Sequence, residues 1–153
     1  EILNRIPNKV QLVHMINEAA DFINENYPTV KNVGILSTTG TFISNVYPKC
    51  LSQYGLNGIQ VSEVIQKNNI NPAIYSSNYG VKAHSNPVKQ EAIKGLHKGL
   101  KYLIDKDAEA IILGCTEIPL ALTDDEINGI PLIDATKILA RALIMAFSPE
   151  DLK

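Results

Sequence analysis

Short apolar runs rich in β-branched residues alternate along this chain with stretches of helical period, and this alternation constrains the fold more than any other feature. Val33-Gly34-Ile35-Leu36, Gly58-Ile59-Gln60-Val61, Ala110-Ile111-Ile112-Leu113 and Pro131-Leu132-Ile133 read as four strands. The third is apolar on both faces, as in a parallel sheet covered on both sides. Leu12, Val13, Ile16, Ala20 and Ile23 recur at three- and four-residue steps. They predict a helix that starts from an Asn8 N-cap and stops at Tyr27-Pro28. A helical stretch follows Thr41 and runs to about Gln53, before the breaker Gly55. Residues 71–84 predict a short helix and a turn. Asn86-Pro87 then predicts a helix start, with Asn as N-cap and Pro in the first helical position. Val88, Ala92, Ile93, Leu96, Leu100, Leu103 and Ile104 carry the apolar stripe of that helix as far as Lys106. Ile138, Leu139, Ala142, Leu143 and Ala146 mark a closing helix. Strands separated by helices of this length imply βαβ crossovers, an α/β class and a parallel β-sheet flanked by helices.

No repeat, low-complexity tract or Gly/Ser linker interrupts the 153 residues, which predicts a single α/β domain over 1–153. Basic residues number 14 against 16 acidic, for a formal net charge of -2. That balance argues against nucleic acid as a partner, since neutralising phosphates takes a clustered basic excess. The 2 cysteines, Cys50 and Cys115, are too few for a disulfide scaffold. His14, His84 and His97 do not fall at zinc-ligand spacings from them, so no metal site is expected. No apolar run approaches the ~18 residues of a membrane span. The composition therefore predicts a soluble, cytosolic globular chain.

In parallel sheets ligands bind beyond the carboxyl ends of the strands, and two loops there carry hydroxyl or thiol groups. Cys115 follows Gly114 at the end of a buried strand and precedes Thr116, a good N-cap, and Glu117-Ile118-Pro119. A thiol at a helix start faces unpaired N–H groups and a positive dipole end, which lower its pKa from about 8.5, here toward about 7. A structural cysteine ending a strand is the bland alternative. The other loop is Thr38-Thr39-Gly40-Thr41, whose hydroxyls and N–H groups suit a carboxylate or phosphate. Taken alone it reads equally as a helix cap at Thr41 with a solvated turn. Lys82, in Gly80-Val81-Lys82-Ala83-His84, is by spacing alone an ordinary surface lysine. His84 and His97 read as surface or boundary residues. Cys50, about 14 Å along a continuous helix from the Gly40 loop, reads as structural.

Together these runs resemble the aspartate/glutamate racemase family of cofactor-independent amino-acid racemases. The residues that carry the resemblance are Val33-Gly34-Ile35-Leu36-Ser37-Thr38-Thr39-Gly40-Thr41, Gly80-Val81-Lys82-Ala83, Ile112-Leu113-Gly114-Cys115-Thr116-Glu117-Ile118-Pro119-Leu120 and Ile133-Asp134-Ala135-Thr136. Glu117, where glutamate racemases usually carry histidine, is similar to the aspartate-racemase branch. The resemblance implies one lobe of a two-lobed fold in which each lobe gives one catalytic cysteine. One thiolate removes the Cα proton and the other thiol returns a proton on the opposite face, with no cofactor. By this resemblance Cys115 is the second-lobe acid/base, and Thr38 and Thr41 help bind the substrate carboxylate. Thr116 offers hydroxyl and N–H contacts, Lys82 pairs with a substrate carboxylate or assists a thiolate, and Glu117 tunes Cys115. Aspartate or glutamate is the implied substrate.

The family's first-lobe loop, proline-cysteine-asparagine-threonine, has no counterpart here, and Cys50 does not match it. Residues 1–10 resemble the linker-like lead-in from a first lobe. The expectation is a carboxyl-terminal lobe that carries one of two thiols, does not racemise on its own, and self-associates, as a homodimer, either through apolar surface its partner lobe would cover or by exchange of the terminal helix. A non-catalytic small-molecule binding module and a single-cysteine lyase or decarboxylase on the same scaffold are the alternatives.

Overall fold

The computed structural model describes residues 12–151. The Asn8 cap and the 1–10 lead-in lie outside the described residues. The first helix, α1, spans Met15–Asn26 and buries Ala19, Ala20 and Ile23. Leu12 and Val13 precede it, so the predicted apolar face is shorter at its start.

Five strands form one sheet: β1 (Asn32–Ser37), β2 (Asn57–Gln60), β3 (Ala110–Gly114), β4 (Glu126–Ile127) and β5 (Ile130–Asp134). Their order is β2-β1-β3-β5-β4. The first four in that order are parallel neighbours, while β4 joins β5 as an antiparallel edge. This fifth strand is an addition to the four expected from the sequence. Asn128 and Gly129 both have positive φ, 52° and 76°, and form the two-residue turn that folds β4 back on β5.

Between β1 and β2 lie α2 (Thr39–Ser44) and α3 (Val46–Gln53). The single helix expected there is broken at Asn45, whose left-handed φ of 57° redirects the chain. After β2 the helical segment 63–75 comprises α4 (Glu63–Ile65), a π turn (Gln66–Ile70) and α5 (Asn71–Tyr75). The long helix α6 spans Gln90–Ile104. It does not start at Asn86-Pro87: residues 85–88 form a turn closed by the Ser85–Val88 bridge, which takes Pro87 and Val88 out of the helix. A short α7 (Ile118–Ala121) follows β3, and α8 (Ala135–Phe147) closes the domain. The Asp134 side chain caps α8 by accepting from the N–H groups of Thr136 and Lys137.

Alternation along the strands splits the core into two layers. Leu36, Ile111, Leu113 and Leu132 pack under α5 and α6 with Leu96, Leu100 and Leu103. Val33, Ile35, Ala110, Ile112 and Ile133 face α1, α3 and α8 with Ile23, Tyr47 and Ile138. Burying each such aliphatic side chain contributes about 1.5–3 kcal/mol. Helix α6 lies close to the sheet because Gly99 has no side chain; a Cβ there would stand 2.8 Å from Leu36 Cδ2. Leu143, one of the apolar residues that mark the closing helix, is 41% exposed, and Phe147, one turn further along the same face, is 72% exposed. No helix among the described residues is long and apolar enough to cross a membrane.

Candidate active site

From β1 the chain moves to one side to form β2 and later returns on the other side as β3. Such a reversal leaves a crevice at the carboxyl ends of the two inner strands. The register pairs Ser37 with Gly114, so the threonine loop and Cys115 leave neighbouring strands at the same level. Roughly 4.8 Å separates adjacent backbones at the usual strand spacing. The sulfur is partly buried rather than sealed in the core.

Cys115 belongs to a short chain of polar contacts. Its thiol donates to Glu117 Oε2 at 2.9 Å, and the Thr116 hydroxyl donates to the same oxygen at 2.8 Å. Lys82 Nζ stands 3.4 Å from Glu117 Oε1 and 5.0 Å from the centre of the Tyr75 ring. The backbone holds Lys82 there, because the N–H groups of Val81 and Lys82 donate to the carbonyls of Ala73 and Ile74 in α5. Thr116 is not the cap of α7; Glu117 takes that position without a side-chain cap bond.

The electrostatics correct the expected low thiol pKa. Burial, and then the hydrogen bond to Glu117, push the Cys115 thiol up to about 11. The same bond, reinforced by those from Thr116 and Lys82, holds the Glu117 carboxyl below its ordinary value. Lys82 is raised by its bond to Glu117. The reason is local: α7 is one turn long and begins three residues after the cysteine, so a full carboxylate outweighs a fraction of a helix dipole. At neutral pH the arrangement is a protonated thiol poised against a carboxylate that is itself paired with a lysine. Chemically this is a proton donor, and it becomes a base only when the field around Glu117 changes.

The threonine loop is braced from behind. Thr38 caps α2, accepting from the Thr41 N–H, and the Thr38 and Thr41 hydroxyls lie 3.1 Å apart. Gln66, 3% exposed, donates to the Ser37 carbonyl at 3.1 Å and reaches the Thr39 hydroxyl at 3.5 Å. Thr39 in turn donates to Asn71 Oδ1 at 2.9 Å. Gln66 and Asn71 are five residues apart, which in an α-helix leaves them about 140° out of line. The Asn71 N–H instead bonds the Gln66 carbonyl in the π turn, and this i→i+5 step brings both side chains to the same loop. Thr39 is thereby tied back, while the Thr38 and Thr41 hydroxyls face each other.

Sequence reasoning missed Gln66, Asn71 and Tyr47. Nothing in the sequence marks the π turn, although Asn71 begins a segment expected to hold a short helix and a turn. Tyr47, in the first turns of α3, is 1% exposed and packs beneath the Cys115 turn. A Cβ at Gly114 would lie 2.8 Å from its ring edge, so Gly114 is the residue that admits the ring. Among the described residues its hydroxyl has no hydrogen-bond partner, a situation that costs roughly 1–3 kcal/mol. Cys50 is elsewhere: it is buried under α1, and its thiol donates to Asn17 Oδ1 at 3.2 Å. The kink at Asn45 makes the straight-helix distance of the sequence reading inapplicable, but the structural role expected for Cys50 agrees with its burial. His84 bonds the Ser77 carbonyl and His97 is exposed on α6; neither is among the residues bonded to Cys115 or Glu117.

Solved structures of known proteins share this fold. An aspartate racemase homologue from Pyrococcus horikoshii superposes with a TM-score of 0.68 at 25% identity, covering 90% of this chain and 57% of that one. The aspartate racemase of Picrophilus torridus gives 0.68 and 25%, covering 94% and 56%. Glutamate racemase from Francisella tularensis, solved in complex with D-glutamate, gives 0.69 at 18% identity over 99% and 52%, a likeness of fold. The chain thus spans a little over half the length of each of these proteins. The Asp/Glu/Hydantoin racemase family matches residues 7–143, and the chain belongs to that family.

Proposed function

We propose that this chain is the carboxyl-terminal lobe of a cofactor-independent amino-acid racemase of aspartate or glutamate type, with Cys115 as one of two opposed acid/base groups. The observation that carries this reading is the Cys115–Glu117–Lys82 arrangement standing beside the threonine loop at the β1/β3 crevice. Removing a proton next to a carboxylate drives charge onto the carboxylate oxygens, so donors must be aimed there before reaction. Thr38 and Thr41 supply hydroxyls at that place, and the Thr116 hydroxyl lies on the Cys115 side. Lys82 is 47% exposed in its side chain and is drawn to one carboxylate already; a substrate carboxylate arriving nearby competes with Glu117 for it. As Lys82 shifts, Glu117 loses its cation and becomes the stronger base toward the thiol. A resting thiol returns a proton to a planar carbanion on its own face, and racemisation needs a second base on the other.

Cys50, buried and bonded to Asn17, does not serve as that second base, so the opposed group belongs to another lobe. The exposed Ile43, Val64 and Leu120, on helices that follow β1, β2 and β3, form apolar surface for such a lobe. The same surface favours self-association as a homodimer in a cytosolic protein. The test is solvent deuterium incorporation at Cα of aspartate and glutamate. The expected result is no exchange by this chain alone and exchange by a two-lobed protein containing it; exchange at enzymatic rates by the lone chain refutes the division of the two bases between lobes.

A second reading is favoured by the raised thiol pKa. One protonated cysteine is enough to quench a carbanion left by loss of carbon dioxide, as in a single-cysteine decarboxylase. Carbon dioxide release from a 2-substituted malonate, with no Cα exchange on amino acids, selects that reading.

A further inference from the structure

Lys82 is held at the site by more than its carboxylate partner. A lysine on a flexible four-carbon stem, half-exposed, is weakly fixed by one ion pair at the surface. The second contact is the face of Tyr75. Its ring centre lies 5.0 Å from Nζ, inside the about 6 Å over which a ring attracts an ammonium. Two contacts of this kind are of similar strength, so each decides part of where the ammonium stands.

The backbone sets the ring beside the lysine. Tyr75 is the last residue of α5, and the chain folds back over that helix end. The Gly80 N–H donates to the Ser76 carbonyl at 2.8 Å, and those of Val81 and Lys82 donate to Ala73 and Ile74 at 2.8 and 3.1 Å. Gly80 permits the close return: a Cβ there would stand 2.5 Å from the Ser76 nitrogen and 2.9 Å from the Ile74 oxygen. Ring and lysine thus ride on two segments joined by main-chain bonds, whereas Glu117 belongs to the separate turn after β3. Tyr75 is 48% exposed and belongs to neither core layer, so packing does not account for its ring.

We infer that Tyr75 is a positioning residue for Lys82: its ring is the seat on which the ammonium rests while it pairs with Glu117 in the empty site and with a substrate carboxylate in the filled one. A ring face attracts the ammonium without carrying a charge, so it keeps Lys82 in place and still lets it exchange one carboxylate for another. No proton moves in this role. A seated Lys82 neutralises part of the Glu117 charge, and its own charge favours the Cys115 thiolate. A Lys82 without its seat spends more time in solvent, and Glu117 then holds the thiol proton harder.

The inference rests on the reading of Cys115, Glu117 and Lys82 as a racemase site, but its test is scored on the sulfur rather than on turnover. In a Cys50→Ser background, where a single thiol remains, the rate of Cys115 alkylation by iodoacetamide at about pH 8 reports the thiolate fraction while Lys82 is charged. Tyr75→Leu is expected to lower that rate about two- to fivefold, and Tyr75→Phe, which keeps the ring face, to restore it. A double-mutant cycle separates an effect through the lysine from a change in access to the sulfur. In a Lys82→Met chain, whose own rate is lowered, adding Tyr75→Leu should change nothing further. An unchanged or higher rate in Tyr75→Leu, an equal fall in Tyr75→Phe, or the same fall with Lys82 replaced overturns the inference. If Tyr75→Leu does not fold, the parent chain answers instead. The Lys82 Hε resonances should lie upfield of those of the other lysines, shifted by the ring current, and ordinary Lys82 resonances overturn it equally. Failure of the racemase reading shows separately, as absent Cα exchange in a two-lobed protein containing this chain with the alkylation cycle intact.

Discussion

The two thiols of this chain make the same kind of bond and stand in opposite situations. Cys50 donates to the neutral amide oxygen of Asn17, under α1 in the core. Cys115 donates to a carboxylate that is itself held by a lysine and a threonine, at the open end of the sheet. Burial raises both pKa values, and a nearby carboxylate adds to each, Asp21 for Cys50 and Glu117 for Cys115. A raised pKa therefore does not separate Cys50 from the thiol proposed as the acid/base. What separates them is a charged partner able to change its own state, and a place where a ligand reaches it. Tyr47, whose pKa both thiols raise, packs in the same core layer as Cys50 and lies against Gly114, the residue before Cys115.

The contrast breaks most visibly if the cysteines are removed in turn. In a two-lobed protein containing this chain, Cys115→Ser is expected to lower Cα exchange by about 10²–10⁴-fold. Cys50→Ala should leave exchange within a few-fold and show its effect in the melting temperature. Equal losses from the two would end the distinction between them.

Gly114→Ala sharpens the comparison from below. The added methyl meets the Tyr47 ring, and overpacking of this kind costs about 1–3 kcal/mol, read as a lower midpoint in urea unfolding. An unchanged midpoint would mean that the ring moves freely and that the hydroxyl is not fixed beneath the cysteine turn. Gln66→Leu carries the smallest effect. It removes one brace from the threonine loop and should raise KM for the amino acid up to about tenfold with little change in kcat. A fall in kcat with KM constant would instead put Gln66 in the proton chain.

Much of the fold is legible because the strands obey simple patterning. β1, β3 and β5 are short apolar runs whose alternation feeds two core layers, and their ends locate the crevice without further information. The edge hairpin is spelled by Asn128-Gly129, yet a two-residue strand has no periodicity to read. The start of α6 is misplaced by the sequence because Asn-Pro serves turns as well as caps, and the Ser85–Val88 bridge decides for the turn. Cys115 stands out in the sequence by its place at a strand end, whereas Lys82, Thr38, Thr41, Thr116 and Glu117 gain their roles only through the family resemblance; Cys115, Thr116, Glu117 and Lys82 do touch in a continuous chain. The pKa direction is not legible, since it depends on whether a side chain two residues away turns toward the sulfur or away. Glu117 turns toward it. Gln66 and Asn71 are hidden for a related reason: only the π turn brings residues five apart to one loop, and no sequence rule announces it.

The most direct measurement is the ionisation of Cys115 itself, followed by thiolate absorbance against pH in a Cys50→Ser chain and again with Glu117→Gln. Cys115 is expected to stay protonated at neutral pH and to ionise near pH 11, and removing the Glu117 charge should lower the midpoint. The sign follows from linkage: a thiol pKa raised in the fold contributes stability below its unfolded value of about 9, lost as pH rises toward 11. A midpoint near 7 in the parent chain, or one that Glu117→Gln leaves in place, would contradict it.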